Sequence, residues 1–547
     1  MGAPPKPVPI RPSDYHSFGW VNRCVCRQMR VHLSLKLMIA LGKLLQKRKN
    51  ARLFAHLTRN IHHANTVAEE ANLNQLKRLQ SGIEGLDELL MGGFVAGSSY
   101  IIQGRPGSGK TILANQIGFN HIRNGGRVLF ATLLAEPHER LFQFLSTMSF
   151  FDKDRVGDQI QFVSAFDTME NDGLDEVVKL LRREIVRQKS TVMILDGLLN
   201  ARSKAESTLN TKRFISELQG HAAFAGCTVF FLTSSQLDDG SPEHTMVDGV
   251  LEMGEELVGN RSVRRIKARK TRGSGAIPGA HECEITENGL VVYPRLESTI
   301  THSALRDSAE FSVVASGIDT LDPLIGGGLV ESSVTLLLGP SGTGKTTFGL
   351  NFLARSTPDE PGLLFGFYES PQRLRVKAAA LGLDFEALER AGALHIAWKS
   401  PTAELIDKLA LDLLRIVEQH GIKRVFLDSL GGMARASCDQ SRILDLFSAL
   451  MSELRARGVT VVSSWEIRGL IGGKIDAPAP DMSGIVDNLM LIRFAQSTAG
   501  LTRQLSILKI RDNPYDPALL DVLIGEQGLT VKKAAFHALD DSGNATA

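Results

Sequence analysis

Short apolar runs rich in Val, Ile, Leu and Phe recur along most of this chain. Between them lie longer segments whose apolar positions repeat every three to four residues. Runs of the first kind suit strands buried on both faces, and segments of the second kind suit helices laid across them. In the first half, Ser99–Gly104, Arg127–Leu133, Thr191–Asp196 and Thr228–Ser234 read as strands, with helices over Lys110–Asn124 and from Glu139 onward. In the second half, Val334–Gly339, Leu363–Tyr368, Arg424–Asp428 and Thr460–Ser464 read as strands and Lys345–Arg355 as a helix. Alternation of this kind predicts a mostly parallel sheet flanked by helices, so the fold class is α/β, twice over.

The two halves are copies of one unit. Ser81-Gly82-Ile83-Glu84-Gly85-Leu86-Asp87 returns as Ser316-Gly317-Ile318-Asp319-Thr320-Leu321-Asp322, 235 positions later, and Lys110 and Lys345 keep the same spacing. Self-similarity over such a distance marks a duplicated domain. The polar stretch Leu296-Glu297-Ser298-Thr299-Ile300-Thr301-His302 separates the copies, which gives domains over 72–298 and 299–533 with a flexible tail over 534–547.

Residues 1–71 form a basic extension of different character. Up to residue 68 it holds twelve Lys/Arg against the single acidic Asp14, whereas the rest of the chain holds 50 basic and 59 acidic residues. Five prolines, from Pro4 to Pro12, exclude a regular start. From Leu33 to His63 the pattern turns helical, with Leu37, Leu41, Leu44 and Leu45 on one side and Lys47-Arg48-Lys49 beyond. A basic amphipathic helix suits an anionic surface or a partner, and a loosely ordered extension fits the same composition. The slightly acidic body is a poor electrostatic footprint for wrapping nucleic acid. No apolar stretch reaches the roughly 20 residues that span a bilayer. The five cysteines are scattered, with neither a disulfide framework nor a zinc pattern, which suits a reducing cytoplasm.

The chemistry is concentrated after the first strand of each copy. Gly104-Arg105-Pro106-Gly107-Ser108-Gly109-Lys110-Thr111 and Gly339-Pro340-Ser341-Gly342-Thr343-Gly344-Lys345-Thr346 both satisfy G-x-x-x-x-G-K-S/T, the second continuing into Thr347. The glycines let successive backbone N–H groups converge on phosphate oxygens, and the helix that follows adds its positive end. Lys110 and Lys345 are placed to reach the β- and γ-phosphates of ATP, and the hydroxyls of Thr111 and Thr346 to bind Mg²⁺. Asp196 and Asp428 end later apolar strands, where a carboxylate can hold the same cation or its waters. Glu136 and Glu369, near the end of the strand after each loop helix, are the candidates for orienting or deprotonating water.

The repeated lead-in Ser-Gly-Ile-x-x-Leu-Asp before each phosphate loop, and the tandem arrangement, resemble the KaiC family of ATPases over roughly residues 72–530. The resemblance implies two RecA-like P-loop domains in a double-tiered homohexamer, with ATP between neighbouring subunits and slow hydrolysis. In clock members it also implies Ser/Thr autokinase and autophosphatase activity in the second tier. It further implies that a late Lys-x-Arg pair of each domain, here Lys270 with Arg272 and Lys509 with Arg511, reaches the nucleotide of the adjacent subunit. A charged hairpin face is the plainer reading of the first pair. Two departures stand out. Clock members carry two consecutive glutamates where this chain has Leu134-Ala135, with Glu136 one place later, and Tyr368-Glu369 keeps one carboxylate. Their Ser-Thr phosphoacceptor pair corresponds to Ser483-Gly484, so only Ser483 is available.

The expectation is therefore an oligomeric ATPase that acts as a signalling or timing switch, through Kai-type or response-regulator-like protein partners. The alternatives are a DNA-dependent ATPase of the RecA/RadA type, and a scaffold that senses nucleotide without hydrolysing it.

Overall fold

A computed structural model describes residues 76–204, 208–234, 241–299, 312–467, 482–497, 500–526 and 528–534. The helix expected over Leu33–His63 and the tail lie outside these. The described residues from Arg78 onward form one compact unit, built around two nine-stranded sheets.

The first sheet is formed by β1 (Ser99–Gly104), β2 (Val128–Thr132), β3 (Ile160–Ser164), β4 (Val192–Asp196), β5 (Thr228–Thr233), β6 (Gly249–Val258), β7 (Arg261–Thr271), β8 (Ala280–Thr286) and β9 (Gly289–Tyr293). Its order is β3-β2-β4-β5-β1-β6-β7-β8-β9. The strands from β3 to β6 run parallel, and β7, β8 and β9 extend the sheet as antiparallel hairpins. Helices α1 (Lys110–Arg123), α2 (His138–Leu145), α3 (Leu174–Gln188) and α4 (Thr208–Phe224) belong to this half, and α5 (Leu296–Thr299) follows it.

The second sheet repeats the first with β10 (Val334–Gly339), β11 (Gly362–Gly366), β12 (Leu394–Trp398), β13 (Arg424–Asp428), β14 (Thr460–Glu466), β15 (Asn488–Ser497), β16 (Gly500–Lys509), β17 (Leu520–Gly525) and β18 (Gly528–Lys533). Its order, β12-β11-β13-β14-β10-β15-β16-β17-β18, matches the first strand for strand. Its helices include α6 (Lys345–Leu353), α7 (Pro371–Ala380), α8 (Ile406–His420), α9 (Ile443–Ala456) and α10 (Met482–Ile485). The expected strands and loop helices are all present, most with ends moved by one or two residues. The antiparallel third of each sheet is what strand–helix alternation does not announce, because hairpins need no intervening helix.

Period-two burial explains why the central strands are almost wholly apolar. In β1, β2, β4 and β5, Ile102, Phe130, Ile194 and Phe230 pack on one face, while Ile101, Leu129, Met193 and Phe231 pack on the other. Both faces are covered, so polar positions would strand unsatisfied groups. Helix α3 shows the complementary pattern, with Val177, Val178, Leu181 and Ile185 buried along one stripe. It carries Asp175 and Glu176 in its first turn and Arg187 in its last, matching the helix dipole.

The repeated lead-in is a turn lock. The Asp87 carboxylate accepts from the amides of Ser81 (2.8 Å) and Gly82 (3.0 Å), and Asp322 accepts from Ser316 (3.0 Å). The Ser81 and Ser316 hydroxyls accept from Ile83 and Ile318. The polar stretch between the copies is partly structured as well. Leu296 of α5 is buried in the core that α8 and α9 build on the second sheet.

Candidate functional site

Both phosphate loops leave the carboxyl end of the strand at the parallel centre of their sheet, where β1 lies between β5 and β6 and β10 between β14 and β15. Backbone crowding dictates the first glycine. A Cβ on Gly104 would stand 2.2 Å from the Met253 carbonyl, and one on Gly339 2.3 Å from that of Ile492. Gly107, Gly109, Gly342 and Gly344 take positive φ of 83°, 98°, 81° and 106°, so the loops curl in a way that other residues resist. Gly109 and Gly344 then start α1 and α6, whose amino ends face into the loops.

The loop side chains converge on the backbone of their own loops. Lys110 Nζ donates to the carbonyls of Gly104 and Arg105, both at 2.9 Å, with Ser108 Oγ at 3.4 Å. Lys345 Nζ donates to Gly339 and Pro340, both at 2.7 Å. Burial holds both ammonium groups below the ordinary lysine range. Thr343 closes its loop by donating to the Pro340 carbonyl, while Ser341, Gly342 and Thr347 line a cavity of 540 Å³.

The hydroxyl and carboxylate of each pair expected to bind metal are in contact. Thr111 Oγ1 donates to Asp196 Oδ2 at 3.3 Å, and Thr346 Oγ1 to Asp428 Oδ2 at 2.8 Å. Burial pushes the Asp196 carboxyl up; the Thr111 hydroxyl and Lys110 oppose the rise, and Glu136 adds to it. Among the described residues no cluster of three His, Cys, Asp or Glu side chains is arranged to hold a metal. A hydroxyl beside one carboxylate nevertheless fits Mg²⁺, which keeps several waters and takes few protein oxygens when phosphates supply the rest.

The two glutamates differ. Glu369 lines the same cavity as Lys345, Thr346 and Asp428. One of its oxygens pairs with Lys377 of α7, and the other, Oε2, is buried without a hydrogen-bond partner among the described residues. Glu136 is exposed, just ahead of α2, and lies 3.6 Å from Arg140 in the first turn of that helix. Motif reading misses three further groups on the second cavity, Ser464, Glu466 and Arg503. Ser464 Oγ donates to Asp428 Oδ1 at 2.7 Å. Strand β14 runs two residues past its expected end, and that extension is what carries Glu466 to the cavity.

The remaining expected residues lie at the opposite edge of the sheets. Thr271 pairs with Gly249, which pairs with Tyr100 near the start of β1. Lys270 and Arg272 are therefore about a strand length, roughly 17 Å, from their own phosphate loop. Lys270 Nζ donates to the carbonyls of His244 (2.7 Å) and Val247 (2.6 Å), and Arg272 lies 3.7 Å from Asp248. The second copy repeats this arrangement. Lys509 donates to the carbonyls of Ser483 (2.5 Å) and Val486 (2.9 Å), and Arg511 lies 3.6 Å from Asp487, which accepts from the first amide of β10. Neither pair reaches the nucleotide site of its own domain.

Comparison with known proteins agrees with this architecture. A family model described as the KaiC ATPase matches residues 79–297 and again 314–535. The chain is 26% identical over 499 residues to the circadian clock oscillator protein KaiC of Thermostichus vulcanus, covering 86% of this chain and 92% of that one. It is 24% identical over 493 residues to the KaiC of a Picosynechococcus species, covering 85% and 92%. It is likewise 24% identical over 488 residues to KaiC 1 of a Synechocystis species, covering 84% and 89%. The chain belongs to the KaiC ATPase family.

Proposed function

We propose that this protein binds Mg–ATP at both phosphate loops and hydrolyses it at interfaces between copies of itself in a ring, six copies to a tier. The nucleotide state then acts as a switch read by protein partners. The observation that carries this reading is the division of each site between opposite edges of the sheet. Lys110, Thr111 and Asp196, and their counterparts Lys345, Thr346 and Asp428, gather at the carboxyl edge, while Lys270/Arg272 and Lys509/Arg511 stand about a strand length away. A head-to-tail assembly brings the edges of neighbouring copies together and closes into a ring. Each arginine is then supplied in trans to a terminal phosphate, where such a group contributes roughly 10³–10⁵ in rate.

In this reading Lys110 and Lys345 exchange loop carbonyls for phosphate oxygens, and Asp196 and Asp428 hold Mg²⁺ through its waters. The cation supplies neutralising charge on the phosphates. Glu136 and Glu369 orient water at the first and second loops. The same geometry favours a second activity. Lys509 holds the Ser483 backbone on the edge that carries Arg511, so a neighbour's second loop that meets Arg511 also meets Ser483, a phosphoacceptor within reach.

Incubation of the purified full chain with γ-labelled ATP tests both. Released phosphate that falls in part with Lys110→Ala and in part with Lys345→Ala supports hydrolysis at both loops, and label on Ser483 supports autokinase activity. ATP-dependent assembly without released phosphate would leave a nucleotide-sensing scaffold instead.

A further inference from the structure

Glu466 is the residue at the second loop that no sequence motif places there. It ends β14 at the last step of the parallel ladder with β10, directly opposite Gly339. The Ile467 amide donates to the Gly339 carbonyl at 3.2 Å, which fixes the end of β14 against the first glycine of the loop. The Glu466 side chain is exposed on the cavity that Lys345, Glu369 and Asp428 also line.

The other two carboxylates are already engaged. Asp428 accepts from Thr346 and Ser464 with one oxygen each, and Glu369 pairs with Lys377. Among the described residues Glu466 has neither a hydrogen bond nor an ion pair. It lines the same cavity as Lys345, whose ammonium group would meet the terminal phosphates, and its negative charge favours that ammonium form. A carboxylate without a competing partner, on the cavity that the loop lysine lines, is available to serve as a general base.

We propose that Glu466 accepts the proton of the water that attacks the terminal phosphate at the second loop, while Glu369 orients that water through Oε2. This rests on the reading of the second loop as a site of ATP hydrolysis. In the step, the water oxygen forms a bond to the γ-phosphorus and the bond from the γ-phosphorus to the bridging oxygen breaks. ADP leaves with the bridging oxygen, the water proton passes to a Glu466 carboxylate oxygen, and the carboxyl later releases it to solvent. At the corresponding position the first copy has a serine. Gln103 pairs with Thr233, so the place opposite Gly104 falls to Ser234, which cannot take up a proton in this way. The two tiers therefore differ in how hydrolysis is assisted.

The test uses full-length protein. The part of phosphate release abolished by Lys345→Ala defines the contribution of the second loop, and nucleotide binding is measured alongside by equilibrium titration with a fluorescent ATP analogue. Glu466→Gln is expected to lower the Lys345-dependent rate by roughly a hundredfold with nucleotide binding unchanged. Glu466→Asp should recover part of the rate, which a purely structural role would not require. A Lys345-dependent rate that is intact in Glu466→Gln would overturn the proposal and leave hydrolysis at the second loop standing. Loss of nucleotide binding together with turnover would overturn it in favour of a binding role. Phosphate release untouched by Lys345→Ala would overturn both the proposal and the reading beneath it.

Discussion

Arg442 grips Asp407 with two parallel hydrogen bonds, Nη1 to Oδ2 at 3.1 Å and Nη2 to Oδ1 at 3.0 Å. It turns the remaining edge of its guanidinium to Glu297. Asp407 of α8 is fully buried, and Glu297 belongs to α5, which leads out of the first domain. Glu282 of β8 lies against the same group, its carboxylate accepting from the Asp407 amide at 3.4 Å. Three carboxylates and one guanidinium thus join the first sheet to the helices of the second. Arg442 itself lies 14 residues after Asp428 of the second nucleotide site.

Removing the guanidinium should be costly here and cheap at the surface. Arg442→Ala strands two carboxylates, one of them wholly buried, and should destabilise the protein by about 3 kcal/mol. Arg415→Ala removes a half-exposed guanidinium from its contacts with Glu84 and, one turn away, Asp412, and should cost less than about 1 kcal/mol. Denaturant unfolding of the two variants side by side measures the difference, and equal losses would contradict the buried bridge.

The same cluster should make stability depend on pH. Burial, reinforced by the neighbouring Asp407 carboxylate and opposed by Arg442 and Arg265, pushes the Glu282 carboxyl up to about 7. A carboxyl raised in the folded state favours folding while it is protonated. Its contribution is complete below about 4.5, the ordinary glutamate value, and is lost as pH rises towards about 7. Glu282→Gln should flatten that decline and be the more stable protein at pH 8, by an amount on the order of 3 kcal/mol at most. Unfolding free energies at pH 5 and pH 8 give the comparison; parallel pH dependence in both proteins would sink it.

Glu136 and Glu369 should matter unequally. Glu369→Ala should lower phosphate release at the second loop by roughly 10²-fold. Glu136→Ala should have a smaller effect on the first, because that side chain is exposed and shared with Arg140. Unaltered turnover in both variants would remove these residues from the reaction.

The proposed supply of the arginines in trans is tested by a mixing experiment. Arg511→Ala chains keep a competent second loop, and Lys345→Ala chains keep a competent arginine. If copies exchange at random, an equal mixture should regain about a quarter of the second-loop activity, since a quarter of interfaces then pair a sound loop with a sound arginine. The same holds for Arg272→Ala with Lys110→Ala at the first loop. No recovery in either mixture would place the arginines outside the neighbour's site.

What the sequence determined by itself was whatever is local or repeated. The two phosphate loops depend on glycines at fixed offsets between a strand and a helix. The lead-in turns depend on an aspartate six residues after a serine. The 235-residue repeat fixed two copies of one fold. The tertiary structure alone decided what depends on register between distant strands. Only strand pairing shows that Lys270/Arg272 and Lys509/Arg511 stand at the far edge from their own loops. Only the extra length of β14 brings Glu466, more than a hundred residues from Lys345 in sequence, to the same cavity. Asp407, Glu282, Glu297 and Arg442 look like ordinary surface charges in the linear chain, because burial between two domains leaves no periodic mark on either. Local motifs are set by neighbours a few bonds away, whereas the edge a side chain faces and the charge it meets are set by the fold.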